Sequence, residues 1–274
     1  MSARWRKEVL SFVTREPGAV PVQANPARVY DLLLGGSHHF ASDRAFAAKV
    51  RAAWPEAAQT MKANRAFLGR AVRYLAAEAG IWQFLDIGSG LPTMGNVHEL
   101  AQQAAPGARV VYVDNDPVAV QHSRVVLADT GNAVAIQADL HDPEEILAHA
   151  DLLDLTRPVG LLLAAVLHFL PDEQNPAVPV AWLRDQLPVG SYLVISHATG
   201  DRQGAEVASA GEIYTRAMPS FQLRTHAEIL RFFGDFELVD PGLVLISDWR
   251  PDTRKSTRKN TGMVAGYGGV AIKG

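Results

Sequence analysis

From Trp82 onward the chain repeats one texture. Short apolar runs at residues 83–87, 109–113, 134–137, 159–167 and 192–196 alternate with amphipathic stretches at 97–105, 118–128, 144–153 and 178–187. Strands spaced by helical segments predict βαβ units and a mostly parallel sheet covered by helices on both faces. The run from Val159 to Leu167 is apolar almost without a break, as a central strand buried on two sides requires. Upstream, residues 62–79 place Phe67, Ala71, Tyr74 and Leu75 on one helical face, with Lys62, Arg65, Arg70 and Arg73 elsewhere and Gly80 as a stop. A shorter helix at 27–34 ends at Gly35-Gly36, and Trp54-Pro55 interrupts the pattern between the two. Residues 1–80 thus read as a helical extension or lid, and 81–274 as an α/β domain. In the tail, 237–249 and 263–272 read as two strands that pair antiparallel at the sheet edge, joined by a polar linker at 250–261.

Composition removes several classes of chemistry. The 274 residues contain no cysteine, which excludes disulfides, a thiolate nucleophile, cysteine-ligated zinc and iron–sulfur clusters. Lys+Arg 26 against Asp+Glu 29 gives a net charge of −3, which disfavours a partner held by phosphate neutralisation and makes nucleic acid an unexpected ligand. Arg4, Arg6, Lys7, Arg15 and Glu16 interrupt the first twenty residues, so no secretory signal is expected there. The longest apolar run is far too short to span a bilayer. A cytoplasmic protein with no membrane partner is the expectation.

The strongest local signal is Phe84-Leu85-Asp86-Ile87-Gly88-Ser89-Gly90, a strand that ends in a glycine-rich turn. Such a turn lets backbone approach a ligand where a side chain would obstruct it. Asp86 ends the strand two residues before the first glycine; a carboxylate there repels a pyrophosphate and attracts an ammonium. Val111-Tyr112-Val113-Asp114 ends the second strand with an acid suited to accept both hydroxyls of a ribose. Ile136-Gln137-Ala138-Asp139 ends the third with an acid that can accept from an exocyclic amine, or else begin a turn toward His141-Asp142-Pro143. Together the three acids ask for a cationic end, a ribose and an adenine. S-adenosylmethionine has all three and no phosphate, whereas a nicotinamide dinucleotide has only the last two. Leu91-Pro92 also replaces the third glycine of a dinucleotide fingerprint. The next helix starts late, with Asn96 as N-cap and Glu99 as its partner, and Asn96 is counted with the cofactor-binding residues. Asp116-Pro117 opens the following helix as cap and first residue, which leaves Asp114 for the ligand.

Longer strings make the chain recognisable. Ala27-Arg28-Val29-Tyr30-Asp31-Leu32-Leu33-Leu34-Gly35-Gly36, Phe40-Ala41-Ser42-Asp43-Arg44, the glycine motif through Leu91-Pro92-Thr93, Asn96-Val97-His98-Glu99, Val111-Tyr112-Val113-Asp114-Asn115-Asp116-Pro117 and Ala165-Val166-Leu167-His168-Phe169 all fit one pattern. They resemble the S-adenosyl methyltransferase family long catalogued only as a domain of unknown function, from about Ala24 to the C-terminus. The resemblance implies a class I, Rossmann-like fold with a seven-stranded, mostly parallel sheet, an N-terminal helical lid, and S-adenosylmethionine as ligand. By that resemblance Asp86, Gly88, Ser89 and Gly90 line the methionine end, Asp114 and Asn115 the ribose, and Asp139 and Leu140 the adenine. Ala164, Ala165 and His168 face the reacting centre, while Tyr30 and Gly35-Gly36 close over the cofactor. One departure is local: Ser37-His38-His39-Phe40 stands where the family often has Asn or Asp-Asn before the Phe.

The expected activity is methyl transfer to an oxygen or nitrogen of a small-molecule acceptor, giving S-adenosylhomocysteine as product. If the acceptor must lose a proton, His168 is the first candidate base, with His38 and His39 next. No metal site is expected, since no histidine pair has ligand spacing with carboxylate help. A non-catalytic sensor that binds the cofactor is the alternative. The basic run at 250–259 reads as a solvated loop, with contact to an anionic substrate the lesser reading.

Overall fold

The computed structural model describes residues 23–92, 95–201, 205–218, 220–252 and 265–274. Three helices, α1 (Pro26–Leu33), α2 (Ala41–Ala53) and α3 (Ala57–Ala77), precede β1 (Gln83–Ile87). Alternation then follows: α4 (Val97–Ala104), β2 (Arg109–Asp114), α5 (Pro117–Leu127), β3 (Ala133–Gln137), α6 (Pro143–Ala148) and β4 (Gly160–Ala164). The remainder is α7 (Ala177–Gln186), β5 (Tyr192–Ala198), α8 (Ala205–Ala217), α9 (His226–Arg231), β6 (Glu237–Leu238), β7 (Val244–Leu245) and β8 (Gly266–Ile272).

The strands form one sheet in the order β3-β2-β1-β4-β5-β8-β6, with β7 also on β8. The first five run parallel and β8 runs antiparallel to β5. The count differs from the seven expected because the last position is broken: β6 pairs at Glu237↔Ile272 and β7 at Val244↔Gly268, two pieces along the same neighbour. The tail strands do pair antiparallel, but β8 lies inside the sheet, partnered on both sides, and the edge falls to β6 and β7. Residues 253–264, which hold most of the expected linker and basic run, lie outside the described residues.

Successive side chains of a strand point to opposite faces, and here both faces are sealed. Leu85, Leu161 and Ile195 pack with Ile146 of α6, Leu183 of α7 and Ile229 of α9. Phe84, Leu162 and Val194 pack on the other side with Phe67, Ala71 and Leu75 of α3, Ala101 of α4 and Val120 of α5. This explains the unbroken apolarity of the strands. It also makes α3 part of the sheet's own cover. A third apolar cluster joins Val29 of α1, Phe46 and Val50 of α2 and Trp54 to Tyr214 of α8 and to Phe221. The cap over the strand ends is therefore built from segments that lie far apart in sequence.

Close approach of α3 to β8 depends on Gly268. A Cβ there would stand 2.8 Å from the Phe67 ring and 2.9 Å from Ile246 Cγ2. Phe67 is fully buried and packs edge-on against Trp249 with centroids 5.6 Å apart, so neither ring has room to yield. Gly268→Ala is expected to destabilise the fold by about 1–3 kcal/mol, the usual cost of overpacking. Urea unfolding would show it; an unchanged midpoint would mean that α3 can shift.

The fourth strand is shorter than its apolar run. It stops at Ala164, Ala165 takes φ +60°, and a 3-10 turn follows at Leu167–Phe169. A left-handed residue with a Cβ costs on the order of 1–2 kcal/mol. Here the Ala165 N–H donates to Ser196 O at 3.0 Å, and fully buried Leu167 turns back into the core. The expected helix at 144–153 is shorter too, ending at Ala148.

Candidate active site

The sheet order reverses between β1 and β4, the place where open α/β sheets bind ligands beyond their strand ends. A cavity of about 600 Å³ opens there. Asp86, Gly88, Ser89 and Gly90 line it from the end of β1, and Asp114 and Asn115 from β2. Asp139 and Leu140 follow β3, while Ala164, Ala165 and His168 follow β4. Tyr30 enters from α1, its hydroxyl donating to Met61 O at 2.9 Å and accepting from Asn64 Nδ2 at 3.1 Å.

Gly88 shapes the turn. At φ +72° its N–H donates to Val113 O at 2.8 Å, and a Cβ would lie 2.4 Å from Val166 Cγ2. Both backbone and contact forbid a side chain. Gly88→Ala is expected to weaken binding of S-adenosylhomocysteine at least thirtyfold in calorimetry, because the turn must move away from the β4 end. Binding within threefold of wild type would contradict this role for the turn.

The acids differ in environment. Asp86 is 4% exposed, and no described residue donates a hydrogen bond to it. Burial pushes its carboxyl up to about 7; Arg65 pulls it down and Asp114 adds to the rise. Asp114 accepts the Gly90 N–H on Oδ2 at 2.7 Å and the Asp116 N–H on Oδ1 at 2.9 Å. Burial raises its carboxyl, and those two bonds offset only part of the rise. Both oxygens keep a lone pair for hydroxyl donors. Asp139 is half exposed. Asn115 Nδ2 donates to its Oδ2 at 3.1 Å and the His141 N–H to its Oδ1 at 2.9 Å. Burial would raise Asp139, but these bonds hold it below the usual carboxylate range. The turn toward His141 is thus present, at a residue that also lines the cavity.

The histidines behave otherwise than their sequence positions suggest. His168 is buried, and its Nδ1 accepts the Ala198 N–H at 3.3 Å. A peptide N–H can only donate, so the neutral ring carries its proton on Nε2. Burial, then His197 and Arg224, pushes its pKa well below the usual histidine value. His197 donates Nδ1–H to Ala198 O at 2.6 Å and accepts from Arg224 Nη1 at 2.9 Å; burial takes it down to about 3. Arg224 is itself buried and also donates to Leu167 O, Leu170 O and Asp172. His38 and His39 do not line the cavity. The His38 N–H donates to Asp31 Oδ2 at 2.9 Å and its ring lies 4.2 Å from that of His122, while His39 Nδ1 meets Arg44 at 3.2 Å. Gly35 closes α1 outside the lining, and Asn96 sits behind the glycine turn, its N–H donating to Glu99 at 3.0 Å.

Several lining residues carried no sequence signal. The helical pattern only sets Arg65 off the apolar face of α3, yet it reaches the Asp86 side of the cavity. Tyr214 and Phe221 stand in no motif, and Phe169 enters only as the last residue of the 165–169 string, with no role attached. Among the described residues no group of three or more histidines and acids is placed to hold a metal ion, and no helix is long and apolar enough to cross a membrane.

A buried carboxylate with no hydrogen-bond donor among the described residues, facing a cavity, fits an ammonium group. The acids at β2 and β3 fit a ribose and an amine, and three carboxylates fit no phosphate. S-adenosylmethionine presents an ammonium, a ribose and an adenine and carries no phosphate, so it meets these demands. Comparison with known proteins agrees. The sequence profile of the family described as S-adenosyl methyltransferase matches residues 20–274. A duf574 family protein from Streptomyces avermitilis MA-4680 is 43% identical, with TM-score 0.88 over 92% of this chain and 98% of that one. A protein from Thermobifida fusca YX, named as a candidate methyltransferase, is 41% identical, with TM-score 0.88 over 95% of this chain and 99% of that one. An O-methyltransferase family protein from Burkholderia thailandensis, 14% identical with TM-score 0.53 over 84% of this chain and 61% of that one, shares the fold. No curated protein matches. The chain belongs to the S-adenosyl methyltransferase family and uses S-adenosylmethionine as its cofactor.

Proposed function

We propose that this protein transfers the methyl group of S-adenosylmethionine to an oxygen or nitrogen nucleophile of a small molecule held in the same cavity. One observation supports this most: the cavity does not stop at the three acids but continues past Ala165 to a wall of aromatic side chains beneath the cap. Its volume of about 600 Å³ lies within the range of natural small-molecule sites. The net charge of −3 favours a small acceptor over nucleic acid. When bound, the cofactor supplies a methyl group on a positively charged sulfur, already activated for displacement.

The protein's part is then to orient and to exclude water. Asp86 holds the amino-acid end and Asp114 the sugar, which fixes the donor. The strained Ala165 turn presents backbone rather than bulk beside the acceptor side. Residues 23–57 and α8 act as a lid, joined through Phe46 and Tyr214 with centroids 5.1 Å apart. Alignment of two reactants contributes roughly 7–11 kcal/mol in well-oriented intramolecular models.

The test is release of S-adenosylhomocysteine from labelled cofactor in the presence of candidate phenols, amines and carboxylic acids. Turnover with one class and none without an acceptor is the expected result. A second reading, a sensor that binds without catalysis, gains from the committed lone pairs of His168 and His197. Tight binding of cofactor with no turnover across all three classes would favour it.

A further inference from the structure

The two halves of the cavity differ in charge. Among the described residues, every acid that lines it comes from α1 or from the ends of β1, β2 and β3: Asp31, Asp86, Asp114 and Asp139. The half beyond β4 and β5 presents His168, Phe169, Tyr214 and Phe221 and no carboxylate. Its rings form a connected set: Phe169 and Phe221 have centroids 5.7 Å apart, Tyr214 and Phe221 4.8 Å, and His168 lies 4.5 Å from Phe169. Just behind them stands the buried guanidinium of Arg224, tied to His197 and, on its outer side, to Asp172.

His168 Nδ1 is taken by the Ala198 N–H, and Nε2 meets no described protein partner. His168 therefore offers this half an N–H donor, beside the Tyr214 hydroxyl and the side chains of Gln174 and Ser220. A donor, a neighbouring cation and no acid make a site for an anionic oxygen. They also make a poor site for an amine, which is protonated at neutral pH, or for a phenol, which at an ordinary pKa near 10 arrives with its proton and needs a base. Among the described residues no histidine or carboxylate with a free lone pair lines this side: His197 accepts from Arg224. A carboxylate is ionised at any physiological pH and needs none.

Building on the methyl-transfer reading, we propose that the β4–β5 half of the cavity is the acceptor site for an aromatic carboxylate, its ring among Phe169, Tyr214 and Phe221 and its oxygen on the His168 Nε2–H. The product is a methyl ester. The bond from methyl carbon to sulfur breaks with its electron pair staying on sulfur, and a carboxylate lone pair forms the new C–O bond. Cation and anion become neutral thioether and neutral ester, with no proton left to remove. His168 is then an anchor for the acceptor rather than a base.

The experiment is calorimetric titration of the full chain, saturated with S-adenosylhomocysteine, with trans-cinnamate, cinnamyl alcohol and cinnamylamine. These share a ring and chain and differ in head group. Cinnamate is expected to bind at least tenfold more tightly than the other two. His168→Ala should reduce that preference below threefold, His168→Gln, which keeps an N–H, should retain most of it, and Phe169→Ala should weaken all three probes alike. With labelled S-adenosylmethionine, methyl cinnamate should appear by mass spectrometry. Equal binding of the three heads, tighter binding of the amine, or no binding of cinnamate by a chain that binds S-adenosylhomocysteine would overturn the acceptor assignment and leave methyl transfer standing. Should His168→Ala fail to fold, the wild-type ranking and His168→Gln decide the matter. Failure of S-adenosylhomocysteine to bind wild type would instead remove the methyl-transfer reading, and the acceptor site with it.

Discussion

Asp86→Asn is expected to leave the ligand-free protein more stable at pH 8 and its cofactor site much weaker. The carboxyl is raised from 3.8 to about 7 by burial, so the folded state holds a proton that the unfolded state releases between those values. Stability contributed by this group therefore falls as pH rises through that window and stays low above it. Three units at ~1.4 kcal/mol each amount to about 4 kcal/mol by pH 8. An amide in the same place avoids that cost but takes back about 1–3 kcal/mol as an unpaired buried polar group. The net gain at pH 8 is about 1–3 kcal/mol, and it disappears near pH 4. Binding moves the other way. An ammonium favours the ionised carboxylate, and its loss costs about 1.5–3 kcal/mol, or roughly 10–150-fold in affinity. In wild type, affinity for S-adenosylhomocysteine should rise nearly tenfold per pH unit up to about 7 and then level off, with about one proton released on binding near pH 6. Thermal unfolding and calorimetry across pH 5–8.5 measure both. An Asn variant that binds as tightly as wild type would show that the ammonium sits elsewhere.

The strands, their order of appearance and the acids at their ends were legible because each depends on local pattern. Two-sided burial demands continuous apolar runs, and a turn that approaches a ligand demands glycine. Asp86, Asp114 and Asp139 could be read in this way, as could the Asp116-Pro117 helix start, where Asp116 Oδ1 accepts the Val118 N–H at 3.0 Å. What failed had non-local causes. The apolar run through Leu167 reads as strand, but the chain reverses at Ala165, a residue with no left-handed preference, because Ser196 of the next strand receives its N–H. β8 reads as an edge strand since nothing in its own residues shows that β6 and β7 will cover its far side. The helical pattern sets Arg65 and Arg70 only off the apolar face of α3; Arg70 is buried and donates to Trp249 O and Ile246 O at 2.8 and 2.6 Å. The acceptor wall was least visible. Phe169 and Phe221 come together where the chain after α8 folds back, the Gln222 N–H donating to His168 O at 2.8 Å, and the proton position on His168 is fixed by a backbone group thirty residues away.

Loss of Arg28 should be the most damaging single change outside the cavity. Its side chain is almost wholly buried, with Nε 2.9 Å from Asp43 and Nη1 3.1 Å from Asp116. Asp43 is sealed from solvent and also accepts the N–H groups of Asn25 and Phe40, at 2.9 and 2.7 Å, which fixes the entries to α1 and α2. Asp116 caps α5, and its own N–H donates to Asp114. One guanidinium thus ties the cap to the acid assigned to the ribose. Arg28→Ala leaves two buried carboxylates without their cation, a loss of about 3–5 kcal/mol for pairs of this kind. Such a loss is a large fraction of the stability of a domain, which is on the order of 5–15 kcal/mol. Arg28→Lys restores charge but not the two-pronged geometry, so it should recover less than half. The coupling to Asp114 separates this role from mere cap stability. At temperatures where the Lys variant remains folded, its affinity for S-adenosylhomocysteine should fall at least tenfold, while adenine alone, which does not depend on Asp114, should lose no more than twofold. Equal losses for both ligands would place the damage in the cap and leave the ribose acid untouched.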